Sequence, residues 1–224
     1  MKQIDALTRA GQSTKTSSTQ KGYIGEKGIG FKSVFKVADV VNVASGFYEF
    51  KLDRNEPIGM ILPILTPFPR DYRLRNRTQF LLQLKSKNEY DEILEDLEAI
   101  EPQLLMFLRN LEKLRISTPT TNKCYKCLID EDDEDFGGKI FSISECDEDQ
   151  GTEKEMKYVV QPYDVRNLPP HPRREGITTS EVMLAFPILD RFTPRIKPQK
   201  TFAFLPIDDF GFRVSLLCAS AGKV

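Results

Sequence analysis

An α+β fold is what this sequence predicts. Three observations carry that reading: short runs of period-two alternation bounded by turn residues, a long stretch of helical periodicity from Asn88 to Leu114, and a glycine-rich segment around Gly25 that opens a further helix. Successive strand-like runs are separated by short turns, so they are expected to pair antiparallel as a meander.

Taken in order, Lys2 to Ala10 reads as a helix with Ile4, Ala6 and Leu7 inward and Gly11 as its terminating glycine. It starts without a cap, so Met1 is expected to fall inside a longer domain. Gln12 to Lys21 contains no large apolar residue and cannot offset its own ordering entropy, which predicts a mobile segment. Gly25, Gly28 and Gly30 then allow close backbone approach before a helix whose inward face is Ile29, Phe31, Val34, Phe35 and Val37. A helix start of that kind offers unpaired amides to an anion, and phosphate is the natural guest. Two familiar phosphate loops are excluded by spacing. A P-loop requires Lys where Phe31 stands, and a dinucleotide fingerprint requires an apolar strand where the polar run Gln12 to Lys21 stands.

Val40 to Ala44, Phe47 to Leu52 and Gly59 to Leu65 read as short strands with turns at Ser45-Gly46 and Arg54 to Pro57. Pro63, Pro67 and Pro69 interrupt pairing and lead into a loop through Arg73. Arg77 to Lys85 alternates at Phe80, Leu82 and Leu84, as a strand with one buried face does. Within Asn88 to Leu114 the apolar residues recur every three or four positions, and Pro102 divides the stretch into two helices. Lys113 to Thr118, Lys123 to Ile129, Lys139 to Ser144 and Lys157 to Pro162 read as further strands. The acidic run from Asp130 to Asp135 lacks the spaced ligands and glycine turn of a calcium loop and reads as a charged hairpin tip.

A net charge of −1 over 224 residues gives no pull toward nucleic acid, and no run of eighteen apolar residues offers a membrane span. Neither nucleic acid nor membrane is expected as a partner. Four unevenly spaced cysteines suit reduced thiols, which with the absence of an apolar leader predicts a cytoplasmic or nuclear protein. Cys124 and Cys127 have zinc-ribbon spacing, but on a strand they point to opposite faces, so no metal site is expected.

The twelve residues Ile24-Gly25-Glu26-Lys27-Gly28-Ile29-Gly30-Phe31-Lys32-Ser33-Val34-Phe35 resemble the second glycine box of the GHKL, or Bergerat-fold, histidine kinase-type ATPases. The wording is close to the ninety-kilodalton heat-shock chaperones and looks still more like the sacsin and NO VEIN branch. The resemblance implies a two-layer α/β sandwich of Bergerat type, incomplete here, with a mostly antiparallel mixed sheet and helices on one face. It implies ATP as cofactor, contacted at Gly25, Glu26, Lys27, Gly28, Ile29, Gly30, Phe31 and Lys32, under a lid formed by residues 12–24. Thr78 matches the threonine that, in the chaperone branch, donates a hydroxyl near adenine. A partial ATPase-like domain over residues 1–118 and a β-rich extension over 119–224, ending in the start of a transducer-like segment, complete the expected organisation.

In that family a helix supplies a water-activating glutamate and a magnesium-binding asparagine, and an Asp-x-Gly turn reads the adenine. Residues 1–24 contain no Glu-x-x-x-Asn and no Asp-x-Gly. The expectation is therefore a chaperone-like ATP-binding module, truncated at its front, with no catalytic residue and no metal ligand. It would hold ATP weakly, with magnesium only if the missing portion were supplied. The alternative from a different class is a pseudo-ATPase or interaction fragment that binds a protein partner or client and no nucleotide.

Overall fold

The computed structural model describes residues 31–108, 111–133, 138–170, 178–190, 193–203, 205–208 and 211–219. The helix expected over Lys2 to Ala10 and the lid over 12–24 lie outside them. The chain forms two compact units that divide between Glu95 and Asp96. The division drawn from the sequence at 118/119 falls inside the second unit.

The described part of the first unit starts with a 3-10 helix, Phe31–Lys36, followed by β1 (Ala38–Ser45), β2 (Tyr48–Asp53), β3 (Ile64–Leu65) and β4 (Gln79–Leu84). The strands form one antiparallel sheet in the order β3-β2-β1-β4. Gly46 takes the left-handed conformation, φ 58°, that closes the β1–β2 hairpin. Val41 lies opposite both Leu52 and Leu82, and Val43 opposite both Phe50 and Phe80. Opposed residues share a face, so these six side chains make one apolar row across three strands. Phe35 seals its centre, with Phe31, Val34 and Leu84 half-buried around it.

The strand expected over Gly59 to Leu65 shrinks to the two residues of β3. Asp53 N–H donates to the Gly59 carbonyl at 3.1 Å, and a Cβ on Gly59 would stand 1.8 Å from the Asp53 carbonyl oxygen. Residues 53–59 are thus folded back on themselves too tightly to continue a ladder.

The α-helix α1 (Lys87–Glu98) opens on a capping arrangement: Ser86 Oγ accepts the Asn88 N–H at 3.1 Å and also bonds the Glu89 carboxylate. Glu101 is extended and Pro102 begins a separate 3-10 helix, Pro102–Phe107, as the missing proline N–H allows. The division at Pro102 is the one the sequence predicts.

In the second unit β5 (Lys113–Ser117), β6 (Asn122–Asp133), β7 (Gly138–Asp147), β8 (Thr152–Val165) and β9 (Ser180–Ile188) run as an antiparallel meander. With β10 (Thr201–Ala203), β11 (Leu205–Asp208) and β12 (Ser215–Ala219) they make an eight-stranded sheet, in which only the β10–β12 pair is parallel. The core lies on one face, where Leu105, Met106 and Phe107 cover Tyr125, Ile143 and Tyr158. Phe107 meets Phe202 with ring centroids 4.6 Å apart, and Tyr125 OH donates to the Ile100 carbonyl at 3.0 Å.

The expected two-layer α/β sandwich is not what forms. The described residues build mostly antiparallel sheet with a single α-helix, a β-rich fold without a helical layer on one face. Two expected helices take another form: the described part of the one over Ile29 to Val37 is a 3-10 helix, Phe31–Lys36, and the stretch after Pro102 begins with another. Meanwhile β6, β7 and β8 extend to 12, 10 and 14 residues. Alternation in these strands is blurred by charged residues on the outer face, so their ends are hidden from periodicity. No helix among the described residues is long and apolar enough to cross a membrane.

Phe107 is 1% exposed, so Phe107→Ala is expected to destabilise the second unit by about 3–5 kcal/mol in a urea titration. Thr201 Oγ1 is buried without a hydrogen-bond partner. Thr201→Val should therefore be neutral or stabilising by the same measurement.

Candidate functional site

Of the residues expected to touch nucleotide, Gly25, Glu26, Lys27, Gly28, Ile29 and Gly30 lie outside the described residues. Phe31, Lys32 and Thr78 lie within them, and Phe31 and Thr78 sit on one side of the first sheet. The Phe31 ring stands 5.7 Å from that of Phe80, centroid to centroid, on the core-side row. Thr78 precedes Phe80 by two residues, so it shares that face, and its hydroxyl bonds Ser45 Oγ at 2.8 Å. Ser45 continues the Val41, Val43 row of β1 in the same way. One end of the face is consequently polar, two hydroxyls at a strand opening, and its middle is aromatic.

Lys32 completes the set. Its ammonium bonds the Met60 carbonyl and lies 5.9 Å from the centre of the Phe31 ring. Partial burial pushes its pKa below the usual lysine value. The side chain is held between the β2–β3 connection and the Phe31 ring.

The described residues that follow the glycines form a 3-10 helix, Phe31–Lys36.

β4 edge residues leave this face open. Phe80 is 51% exposed and Leu82 38%, although both belong to the row that packs the core elsewhere. Ile58, Met60, Ile61, Leu62 and Leu65 add further exposed apolar side chains in the β2–β3 connection and on β3.

What positions Thr78 was invisible in the sequence. Glu49, on β2, accepts the Phe68 N–H at 2.9 Å and the Arg73 Nε–H at 2.9 Å. Arg73 also donates to the Gly46 carbonyl at 3.2 Å and to Gln79 Oε1 at 3.1 Å. Gln79 Oε1 accepts the Leu74 N–H at 2.7 Å, and its amide nitrogen donates to the Tyr72 carbonyl at 2.8 Å. These contacts fasten the loop between β3 and β4 at both ends. A lone Glu-Arg pair separated by a proline-rich loop carries no periodic signal, which is why sequence reading passes over it.

The Phe68 amide, and then the Arg73 guanidinium, hold the Glu49 carboxyl below the usual glutamate range. The described residues contain no cluster of three or more metal-ligating side chains. The described part of the site offers a cation, an aromatic face and a hydroxyl, a set suited to holding a ligand.

Comparison with known proteins gives one partial relative. Protein NO VEIN of Arabidopsis thaliana is 54% identical over 69 residues, which is 30% of this chain and 2% of that protein's length. The chain thus covers a very small part of that relative. No family profile matches, and no solved structure matches.

Glu49 has a depressed pKa in the fold, so its contribution is present above the unfolded value of about 4.3 and is lost as pH falls through the lower folded value. The first unit is expected to lose stability on acidification below about pH 4, and Glu49→Gln should reduce that pH dependence while lowering stability at pH 7. Thermal unfolding followed between pH 3 and 7 checks both.

Proposed function

We propose that the first unit binds the phosphate end of an ATP-type nucleotide through the glycine segment, and that the residues of this chain do not turn it over. The observation that carries this reading is that Phe31, which directly follows Gly30 in the sequence, places its ring near Phe80 on the sheet face that Thr78 continues. Lys32 stands beside it, its ammonium 5.9 Å from the centre of the Phe31 ring. The likeness of the glycine box to GHKL ATPases and the partial identity to NO VEIN support it. The kinship proposed is in the glycine box and does not extend to a two-layer sandwich.

In this arrangement the amides of Gly25, Glu26, Lys27, Gly28, Ile29 and Gly30 hold phosphate oxygens, with Lys32 supplying charge from the side. Phe31 and Phe80 give a partly apolar wall, and the Thr78 hydroxyl a polar contact. Phosphoryl transfer requires charge compensation and an activated nucleophile, and residues 1–24 carry neither the glutamate nor the asparagine that supply them in the family resembled. Binding without turnover follows. A cytoplasmic or nuclear setting, where nucleotide is abundant, suits it.

The exposed apolar residues of β3, β4 and the β2–β3 connection favour a second reading, a protein-binding module without nucleotide. A fluorescent ATP analogue separates the two. Saturable binding by the chain is expected, with affinity at least tenfold lower, about 1.4 kcal/mol, in Gly28→Ala and Gly30→Ala and reduced in Lys32→Met. Phosphate release should stay at the protein-free rate. A flat titration with folded protein would leave the protein-binding reading standing.

A further inference from the structure

The register of β6 and β7 sets Cys124 directly opposite Cys146. Two residues further along, the Glu148 N–H donates to the Asn122 carbonyl at 2.9 Å. Antiparallel pairs alternate between hydrogen-bonded and non-hydrogen-bonded, so Cys124 and Cys146 are also a hydrogen-bonded pair, with Cα atoms about 5.5 Å apart. Disulfides span Cα separations of about 4.4–6.8 Å, most often near 5.5–6 Å. Opposed side chains share a face, and the two thiols face each other across the ladder.

Cys127 is placed differently. It is three residues from Cys124 and therefore on the opposite face, inside the core with Tyr125 and Ile143. Burial pushes its thiol up to about 11, which leaves it unreactive. Cys124 is shielded on the outer face at 4% exposure, while Cys146 is half-buried and reachable from solvent. Arg115 and Glu153 stand opposite Cys124 and Cys146 on the flanking strands, so the thiol pair lies in a polar row away from the core.

We propose that Cys124 and Cys146 form an oxidation site that takes hydrogen peroxide and closes as a cross-strand disulfide. The Cys146 thiolate attacks a peroxide oxygen. An S–O bond forms, the O–O bond breaks, and the departing hydroxide takes up a proton as water. The Cys124 sulfur then attacks the sulfenic sulfur, an S–S bond forms, the S–O bond breaks, and the hydroxide released leaves as water with the proton Cys124 gives up. Two thiols are oxidised and one peroxide is reduced to two waters. Directly opposed Cβ atoms lie about 4.5–5.5 Å apart, and a disulfide needs about 3.5–4.5 Å. Closure draws the strands together, and the strained bond is readily reduced again by small thiols, as regulatory disulfides are. The site belongs to the second unit and does not depend on the nucleotide reading.

The test treats the full chain with hydrogen peroxide, alkylates the remaining thiols under denaturing conditions and maps the peptides by mass spectrometry. Loss of two of the four thiols is expected, with a single Cys124–Cys146 cross-linked peptide that dithiothreitol reverses and Cys127 recovered as the alkylated thiol. Cys146→Ser should abolish the cross-link, and Cys124→Ser should leave Cys146 as a sulfenic acid that dimedone traps. Four free thiols after treatment, Cys146 passing to sulfinic acid without cross-linking in the unsubstituted chain, or a cross-link that joins Cys127 or Cys218 would each overturn the proposal.

Discussion

Registration of β1 against β4 is the constraint from which the first unit follows. In an antiparallel pair a slip of one residue turns every side chain to the other face. With Val43 opposite Phe80 and Val41 opposite Leu82, the apolar side chains of three strands fall on one surface and the Thr78–Ser45 hydroxyl pair continues that surface at its end. Phe35 then buries itself on the same surface and carries Phe31 and Lys32 with it. Shift the register and Phe80 leaves Phe31, while Thr78 turns away from Ser45.

That register is held by more than hydrophobic contact. The loop leading into β4 is rich in proline and arginine and buries Phe68. Polar groups that close on each other add to its order: Glu49 takes the Phe68 amide and Arg73, and Gln79 takes the Leu74 amide and returns a bond to Tyr72. A carboxylate that receives an amide and a guanidinium together is worth more than either contact alone, since charge-assisted bonds are shorter and stronger than neutral ones. The second unit relies on the opposite device. There a long antiparallel ladder is covered on its apolar face by a short 3-10 helix, Pro102–Phe107.

Parts of this architecture were legible in the sequence because they obey a local period or a local rule. Alternation at Phe80, Leu82 and Leu84 marked β4, Pro102 marked the end of one helix and the start of the next, and Ser45-Gly46 marked the hairpin turn. The fold class was misread where local pattern and tertiary context conflict. Ile29 to Val37 has a helical apolar face, yet its described residues Phe31–Lys36 take a 3-10 helix, with Phe35 buried against the sheet. The length of β6, β7 and β8 escaped notice because their outer residues are charged at irregular spacing. Of the candidate site, Phe31, Lys32 and Thr78 are singled out by resemblance and their contacts with nucleotide are proposed here, whereas Glu49, Arg73 and Gln79 carry no motif, and the pairing of Cys124 with Cys146 exists only once a register is known.

Amide hydrogen exchange with and without ATP tests the central claim, that the glycine segment and the opening of β4 belong to one site. Slowed exchange in residues 25–36 and 78–84 together, with the second unit unchanged, is the result expected. Exchange altered in only one of the two stretches, or in neither at saturating nucleotide, would contradict it.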